Sequence, residues 1–219
     1  MSSTYHTVSE FNISTSESAA HVISVDIKDY KDDHETTWCR VIDANIDNPT
    51  ITCPQFLDHI ATATAYIIDR WAMGEAECDW VDMDELSQEA GELFKSKVFY
   101  DEITMEPFVL FHEVRVAHEY WRQGLGRNIV KAVLKKAHES LGGAFWVIVA
   151  PGHLGMEVAQ ELMRSGSTWA DEDKVFEIQG RQLDAAQAFW KAVGVAPIKG
   201  TQFYYGFVKG DGEVDKRIQ

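Results

Sequence analysis

Apolar residues along this chain follow two spacings, and each spacing predicts one type of element. Alternation and short apolar runs predict strands at 20–27, 38–46, 108–116, 144–150 and 201–208. A spacing of 3.6 residues predicts helices at 54–71, 126–140, 154–165 and 182–193. The acidic residues 74–92 are expected to hold a loop and a short helix that ends near Phe94. The segment 108–150 should be a strand–helix–strand crossover, so the centre of the fold is α/β, with antiparallel strands before it.

Chain length and composition bound the domain organisation. The 219 residues fit one domain, and 45% hydrophobic residues are enough to build its core. Residues 1–18 are rich in Ser and Thr, so we expect a flexible or extended N-terminal arm there. Residues 19–219 are expected to form a single domain.

Charge and cysteine content exclude several function classes. A net charge of −15 disfavours nucleic acid and anionic membranes as partners. The start of the chain lacks the basic and apolar parts of a secretory signal, and no apolar run is long enough to span a bilayer. The three cysteines (Cys39, Cys53 and Cys78) form no CxxC pair, which argues against a disulfide framework or a structural zinc site. We therefore expect a cytoplasmic protein.

One segment reverses the acidic character of the chain. In EYWRQGLGRNIVKAVLKKAHE (119–139), Gly124 and Gly126 stand where a loop ends and a helix is predicted to begin. Five cationic residues surround them: Arg122, Arg127, Lys131, Lys135 and Lys136. A helix N-terminus with bare glycine backbone is suited to binding phosphate. The segment therefore predicts a phosphate site, although a solvated helix face would explain the lysines alone.

Two common phosphate motifs fit this segment poorly. The P-loop pattern GxxxxGK[ST] is absent. A dinucleotide-binding fingerprint needs a third glycine where Ile129 stands, and a turn directly after the strand. A nucleotide binder that prefers NAD is therefore a weak alternative.

The segment VRVAHEYWRQGLGRNIV resembles motif A of the GNAT superfamily of N-acetyltransferases. The stretch LDAAQAFWKAVGVAPIKGTQFYYGF (183–207) resembles motif B of that family. The two motifs together span about 108–208, nearly half of the chain. The resemblance implies a GNAT fold. Such a fold has a mixed twisted sheet with antiparallel N-terminal strands, a central parallel strand pair and flanking helices.

The resemblance also implies acetyl-CoA as the donor substrate. The pantetheine arm would pair like an extra strand with the backbone around Val114 and Val116. The pyrophosphate would be held by the backbone N–H groups of Arg122, Gln123, Gly124, Leu125, Gly126 and Arg127, and the lysines could meet the 3′-phosphate. Two positions depart from the family pattern. Trp121 replaces the usual Arg or Gln of motif A, and Trp190 stands where a tyrosine often protonates the leaving thiolate. That role is vacant, or it falls to Tyr204, Tyr205 or water.

Acetyl transfer to an amine needs a base, and His112 is the candidate. Histidine ordinarily titrates near pH ~6.5, and strand parity puts His112 on the face of Val114 and Val116 unless a bulge intervenes. Glu113 is a weaker candidate, and a hydrogen-bonded structural histidine is the alternative. His112 and His118 would lie roughly 20 Å apart on a strand, too far to share a metal ion, so no metal is expected.

The sequence does not identify the acceptor. Its acidic surroundings favour a primary amine, of a small molecule or of a peptide, and Trp71, Trp80 and Trp146 are candidates to line its side. A homodimer is possible. A GNAT-like protein that binds acyl-CoA without transferring the acyl group stays open as the alternative function.

Overall fold

The computed structural model describes residues 7–14, 20–30, 38–47, 59–75, 87–95, 106–210 and 212–215. Its strands are β1 (Thr7–Ser14), β2 (Ala20–Asp29), β3 (Cys39–Asp47), β4 (His59–Ile68), β5 (Phe108–Val116), β6 (Phe145–Val149), β7 (Ala196–Pro197), β8 (Tyr204–Lys209) and β9 (Glu213–Val214). Its helices are α1 (Arg70–Glu75), α2 (Gln88–Lys95), α3 (Leu125–Leu141), α4 (Gly155–Ser165) and α5 (Glu172–Val193), with a 3-10 turn at His118–Tyr120.

The described strands form one mixed sheet in the order β1-β2-β3-β4-β5-β6-β8-β7, with β9 paired to β8. Strands β5 and β6 pair in parallel, and the other described pairs are antiparallel. Helix α3 connects the parallel strands. The predicted α/β centre with antiparallel strands before it is therefore confirmed.

Two apolar layers cover the two faces of the sheet. Helix α3 packs on one face through residues such as Ile129 and Val133, and the C-terminal end of α5 joins it through Trp190. Helices α1 and α2 cover the opposite face through Met73 and Leu93. We call these the α3 face and the α1 face. Strand β5 lies in the middle of the sheet, and helices cover both of its faces. Its first four residues are buried.

The predicted helix at 54–71 is wrong, because residues 59–68 form strand β4. Four side chains at every second position pack on the α3 face: Ala61, Ala63, Ala65 and Ile67. Tyr66 and Ile68 pack on the α1 face. A strand buried on both faces reads as a continuous apolar run, which helical spacing can also fit. The small alanines favour helix in isolation, and pairing with β3 and β5 overrides that preference.

The other predicted elements are present, with one change of length, whereas α1, β7 and β9 were not predicted. Helix α5 begins ten residues earlier than predicted, because the Asp171 side chain accepts a hydrogen bond from the Lys174 backbone N–H at 3.2 Å and caps the helix. In the segment predicted as an arm, residues 7–14 form β1, which pairs along β2. The short helix predicted within 74–92 corresponds to α2 where the structure describes it, and residues 76–86 lie outside the described ranges.

Among the described helices, none has both the length and the apolar character that crossing a membrane requires.

Candidate functional site

Strand β5 has an open edge over its C-terminal half. Strand β6 pairs with it only from Phe108 to Phe111, and then ends at Val149. On the other side of β5, the Ala117 N–H donates to the Ile60 carbonyl at 2.8 Å. Backbone groups of alternate residues in an antiparallel strand point to opposite sides. The N–H and C=O groups of Val114 and Val116 therefore point away from β4, toward the open edge.

A β-bulge puts His112 and the residues Val114 and Val116 on opposite faces of the sheet. Thr64 pairs with Glu113 and Ala65 with Phe111, so His112 is the extra residue of β5. Its ring lies 5.9 Å from the ring of Tyr66, on the α1 face. Val114 and Val116 pack on the α3 face instead. The shared face that parity predicted is therefore wrong, and His112 is an exposed side chain on the α1 face.

The loop after β5 leads to the N-terminus of α3, which no side chain caps. Gly124 has φ +82°, a left-handed conformation that favours glycine, and no side chain caps α3. The first intrahelical bond runs from the Asn128 N–H to the Gly124 carbonyl at 3.0 Å. The N–H groups of Leu125, Gly126 and Arg127 precede it, and helix geometry leaves them without intrahelical acceptors. An added Cβ at Gly124 would meet nothing within 4 Å, so space is open beside this turn.

The space beside Gly126 is filled by neighbouring side chains, unlike the open space beside Gly124. A Cβ at this position would lie 3.3 Å from Cε2 of Phe189 and 3.3 Å from Cγ2 of Val116. The glycine thus lets the first turn of α3 approach both β5 and α5 closely. The two glycines, which the sequence presents as one motif, have different physical roles.

Three of the five cations on this segment are bound to the protein itself. Lys131 Nζ lies 3.1 Å from Glu213 Oε1, and Lys135 Nζ lies over the Phe11 ring at 5.2 Å. Lys136 is buried, and its Nζ donates to Ser9 Oγ at 2.6 Å. The lysines therefore fasten both ends of the sheet to α3. Within the described residues, the exposed Arg122 and Arg127 have no recorded partner.

Trp121 reaches back to the open edge of β5. Its indole Nε1 donates to the Val116 carbonyl oxygen at 2.8 Å, and its ring lies 4.6 Å from that of His118. Behind it lies a narrow cleft that is open to solvent. It adjoins the open edge of β5 at Val116, and its lining includes the side chains of Arg115, His118, Trp121, Glu157, Glu161 and Arg164. We call this the β5–α4 cleft, because α4 forms its other wall.

Helix α4 presents a polar face to the cleft. Arg164 pairs with Glu119 at 3.8 Å, and Glu161 binds Arg181 of α5. Glu157, in the first turn of α4, makes no recorded hydrogen bond or ion pair with the described residues. Burial raises the pKa of Glu157, Arg115 opposes this shift, and Glu113 and Glu161 reinforce it. Sequence reasoning missed Glu157, although its spacing of i, i+4 and i+7 with Glu161 and Arg164 on a predicted helix was a usable signal.

The other candidates fall in different places. Trp190 is buried and packs 5.1 Å from the Phe111 ring, so it is a core residue. Tyr204 pairs with Val149 at the end of β6 and is buried on the α3 face. Tyr205 packs on the α1 face and stacks with Trp146 at 5.8 Å. Trp71 is exposed, and Trp80 lies outside the described residues.

Thiol and metal chemistry find no support in the described residues. Burial raises the pKa of Cys39 to about 12, so its thiol is not a nucleophile near neutral pH. Within the described ranges, no three His, Cys, Asp or Glu side chains lie close enough to hold a metal ion.

No protein-family model and no curated protein matches the chain. Among solved structures, the chain is similar to one titled "Crystal structure of SsHAT", with a TM-score of 0.38 and 12% sequence identity. That alignment covers 76% of this chain and 71% of the other. This similarity is too low to assign the chain to a family. The fold is mixed α/β with a mostly antiparallel sheet.

Proposed function

We propose that the protein has a GNAT fold and is an N-acetyltransferase that moves an acetyl group from acetyl-CoA to a primary amine. One observation carries the proposal. The open edge of β5 at Val114 and Val116 is joined by one short loop to the uncapped N-terminus of α3 at Gly124. An extended pantetheine arm needs backbone partners of the first kind, and a diphosphate needs N–H donors of the second kind.

The donor substrate would occupy these two features in sequence. Val114 and Val116 would hydrogen-bond its pantetheine arm through their backbone. The N–H groups from Arg122 to Arg127 would hold its diphosphate, and the Arg122 and Arg127 guanidinium groups would add charge-assisted bonds. The lysines are engaged with Glu213, Phe11 and Ser9, so they are not part of this proposal.

The reaction needs a neutral amine beside the thioester. The amine nitrogen would attack the thioester carbon, a C–N bond would form, and the C–S bond would break. The departing thiolate gains a proton, and the amine loses one to a base. His112 is our candidate base, acting directly or through water, because it lies at the bulge where β5 and β6 separate.

The proposal is tested by calorimetric titration with acetyl-CoA. The chain offers a matched pair of variants, because left-handed glycines with open space stand at both ends of α3. These are Gly124, with φ +82°, and Gly142, with φ +69°. Gly124→Glu and Gly142→Glu both place a side chain in a left-handed conformation and add the same charge, but only the first places that charge at the proposed diphosphate site.

We expect the wild type and Gly142→Glu to bind in the micromolar range, and Gly124→Glu to lose binding by at least about tenfold. Thiol release with a panel of amines, and its loss in His112→Ala, then tests catalysis. Absence of binding in the wild type, or equal loss in both glycine variants, would reject the proposed site.

A second candidate function is a sensor that binds acyl-CoA without transferring the acyl group. Trp190 favours it, because a buried indole stands where the family resemblance implies a proton-donating tyrosine. Such a protein would bind acetyl-CoA and release no thiol with any amine, so the same two measurements separate the candidates.

A further inference from the structure

We propose that the β5–α4 cleft binds the acceptor as a zwitterion, with Arg115 holding a carboxylate and Glu157 holding the primary ammonium group of an amino acid. This inference rests on the proposed function, since it names the class of amine that is acetylated. It concerns the side chains of Arg115 and Glu157, which the proposed donor site does not use, in a cleft that adjoins the donor edge at Val116.

Arg115 is the first charged group of the cleft. Its Nη2 donates to the thioether sulfur of Met156 at 3.0 Å, and sulfur is a weak acceptor. Across the sheet, Arg115 lies beside Thr62 of β4, and Thr62 lies beside Asn45 of β3. Both neighbours are neutral. The half-buried guanidinium therefore has no carboxylate within ion-pair distance in the described part of the chain.

Glu157 is the second charged group of the cleft. Its half-buried carboxylate is close enough to Arg115 to be influenced by its charge, yet the two groups form no ion pair. Its other charged neighbours are Glu113, a carboxylate that forms no ion pair with the described residues, and Glu161 and Arg164. Glu161 is bound by Arg181, and Arg164 is bound by Glu119. Two opposite charges thus face one cleft without neutralising each other.

Such a pair of charges would recognise a ligand that carries both opposite charges. A partly desolvated charge without a partner is costly, and a ligand that supplies both counter-charges removes both costs. An arginine fork suits a carboxylate, and a carboxylate suits an ammonium group. Both groups line the same cleft, so one small ligand that carries both charges could contact them together. A simple amine would satisfy Glu157 and leave Arg115 without a partner.

The test compares each of the twenty amino acids for binding and acetylation. Matched amines that lack the carboxylate serve as controls: cadaverine for lysine, agmatine for arginine and phenethylamine for phenylalanine. Binding is measured by calorimetry with and without coenzyme A, and thiol release is measured with acetyl-CoA. We expect at least one amino acid to bind and to be acetylated, and its decarboxylated analogue to be about tenfold weaker or worse.

Two cleft variants and two distant controls locate the contacts. Glu157→Gln and Arg115→Gln should each raise the KM for the amino acid about tenfold or more, with a smaller effect on kcat. Arg115→Lys should recover only part of the loss, because lysine lacks the planar fork. Glu139→Gln and Lys191→Gln, both exposed and outside the cleft, should leave KM unchanged.

The outcomes separate this inference from the proposed function. The inference is overturned if no amino acid binds or is acetylated, if decarboxylated amines serve equally well, or if the cleft variants behave like the distant controls. If acetyl-CoA binds and other amines are acetylated, the proposed function stands without it. If an amino acid binds through Arg115 and Glu157 but acetyl-CoA does not bind, only the proposed function fails.

Discussion

The indole N–H of Trp121 donates a hydrogen bond to the carbonyl oxygen of Val116, with an N–O distance of 2.8 Å. That oxygen points to the open edge of β5, where an extended ligand would need it as an acceptor. The loop that leads to α3 and the strand edge are therefore joined by one hydrogen bond. A ligand that adds to this edge at Val116 would compete with the indole for that oxygen.

Trp121→Phe should tighten acetyl-CoA binding, because it keeps the ring and removes the competing donor. A net hydrogen bond of about 1 kcal/mol corresponds to a gain of about fivefold in Kd. Calorimetry measures this change, and Trp169→Phe, at another exposed tryptophan, should leave Kd unaltered. Weaker binding in Trp121→Phe would mean that the indole supports the ligand instead.

Gly126 and Gly180 should respond differently to the same substitution. Both lie in helices, but a Cβ at Gly180 meets nothing within 4 Å, whereas at Gly126 it meets Phe189 and Val116 at 3.3 Å. Gly180→Ala should stabilise the protein by about 0.5–1 kcal/mol through helix propensity. Gly126→Ala should fall short of that gain, and Gly126→Val should lose about 1–3 kcal/mol by overpacking. Urea unfolding provides the free energies, and equal gains for both alanine variants would contradict the close approach.

Glu157→Gln should stabilise the protein at neutral pH. The folded-state pKa of Glu157 is raised above its ordinary 4.5 by burial, so ionising this carboxyl opposes folding. The stabilising contribution of the neutral form is complete below pH 4.5 and is lost as the pH rises through the raised pKa. Glutamine does not ionise, so Tm at pH 7 should rise. The gain should vanish near about pH 3.5, and a gain that is independent of pH would point to packing instead.

Ser9→Ala should destabilise the protein through Lys136. The buried ammonium group would lose the acceptor that its Nζ contacts at 2.6 Å, at a cost of about 1.5–3 kcal/mol. Lys136→Met keeps the apolar stem and removes the charge, so Ser9→Ala should be nearly neutral in that background. A double-mutant cycle by urea unfolding measures the coupling, and additive effects of the two changes would show that the contact contributes nothing.

The segment from 108 to 150 was predictable because local signals coincide there. Long apolar runs mark β5 and β6, and Gly124 and Gly142 mark the two ends of α3. The bulge at His112 was not predictable, because it depends on how Thr64 and Ala65 pair with β5. A single residue that shifts register reverses the face of every side chain on one side of it.

The lysines of α3 show a second limit of sequence reasoning. Their spacing suggested a surface for an anion, but their partners lie far away in the chain. Ser9 is 127 residues from Lys136, and Glu213 is 82 residues from Lys131. Local spacing shows which face of a helix is charged, but it does not show which residues contact that face. The early start of α5, by contrast, was readable from Asp171 and the acidic residues that follow it.

The contacts that join β1 and β9 to α3 bear on how fast the chain reaches its native state. Each closes a very large loop, and the chain loses that conformational entropy before the contact stabilises anything. Sheet pairing adds further non-local contacts, since β6 lies beside β8 across the intervening α4 and α5. Folding should therefore be slow compared with that of a helical protein of the same size. The N-terminus of α3 would become rigid late, when both ends of the sheet have docked on the helix behind it.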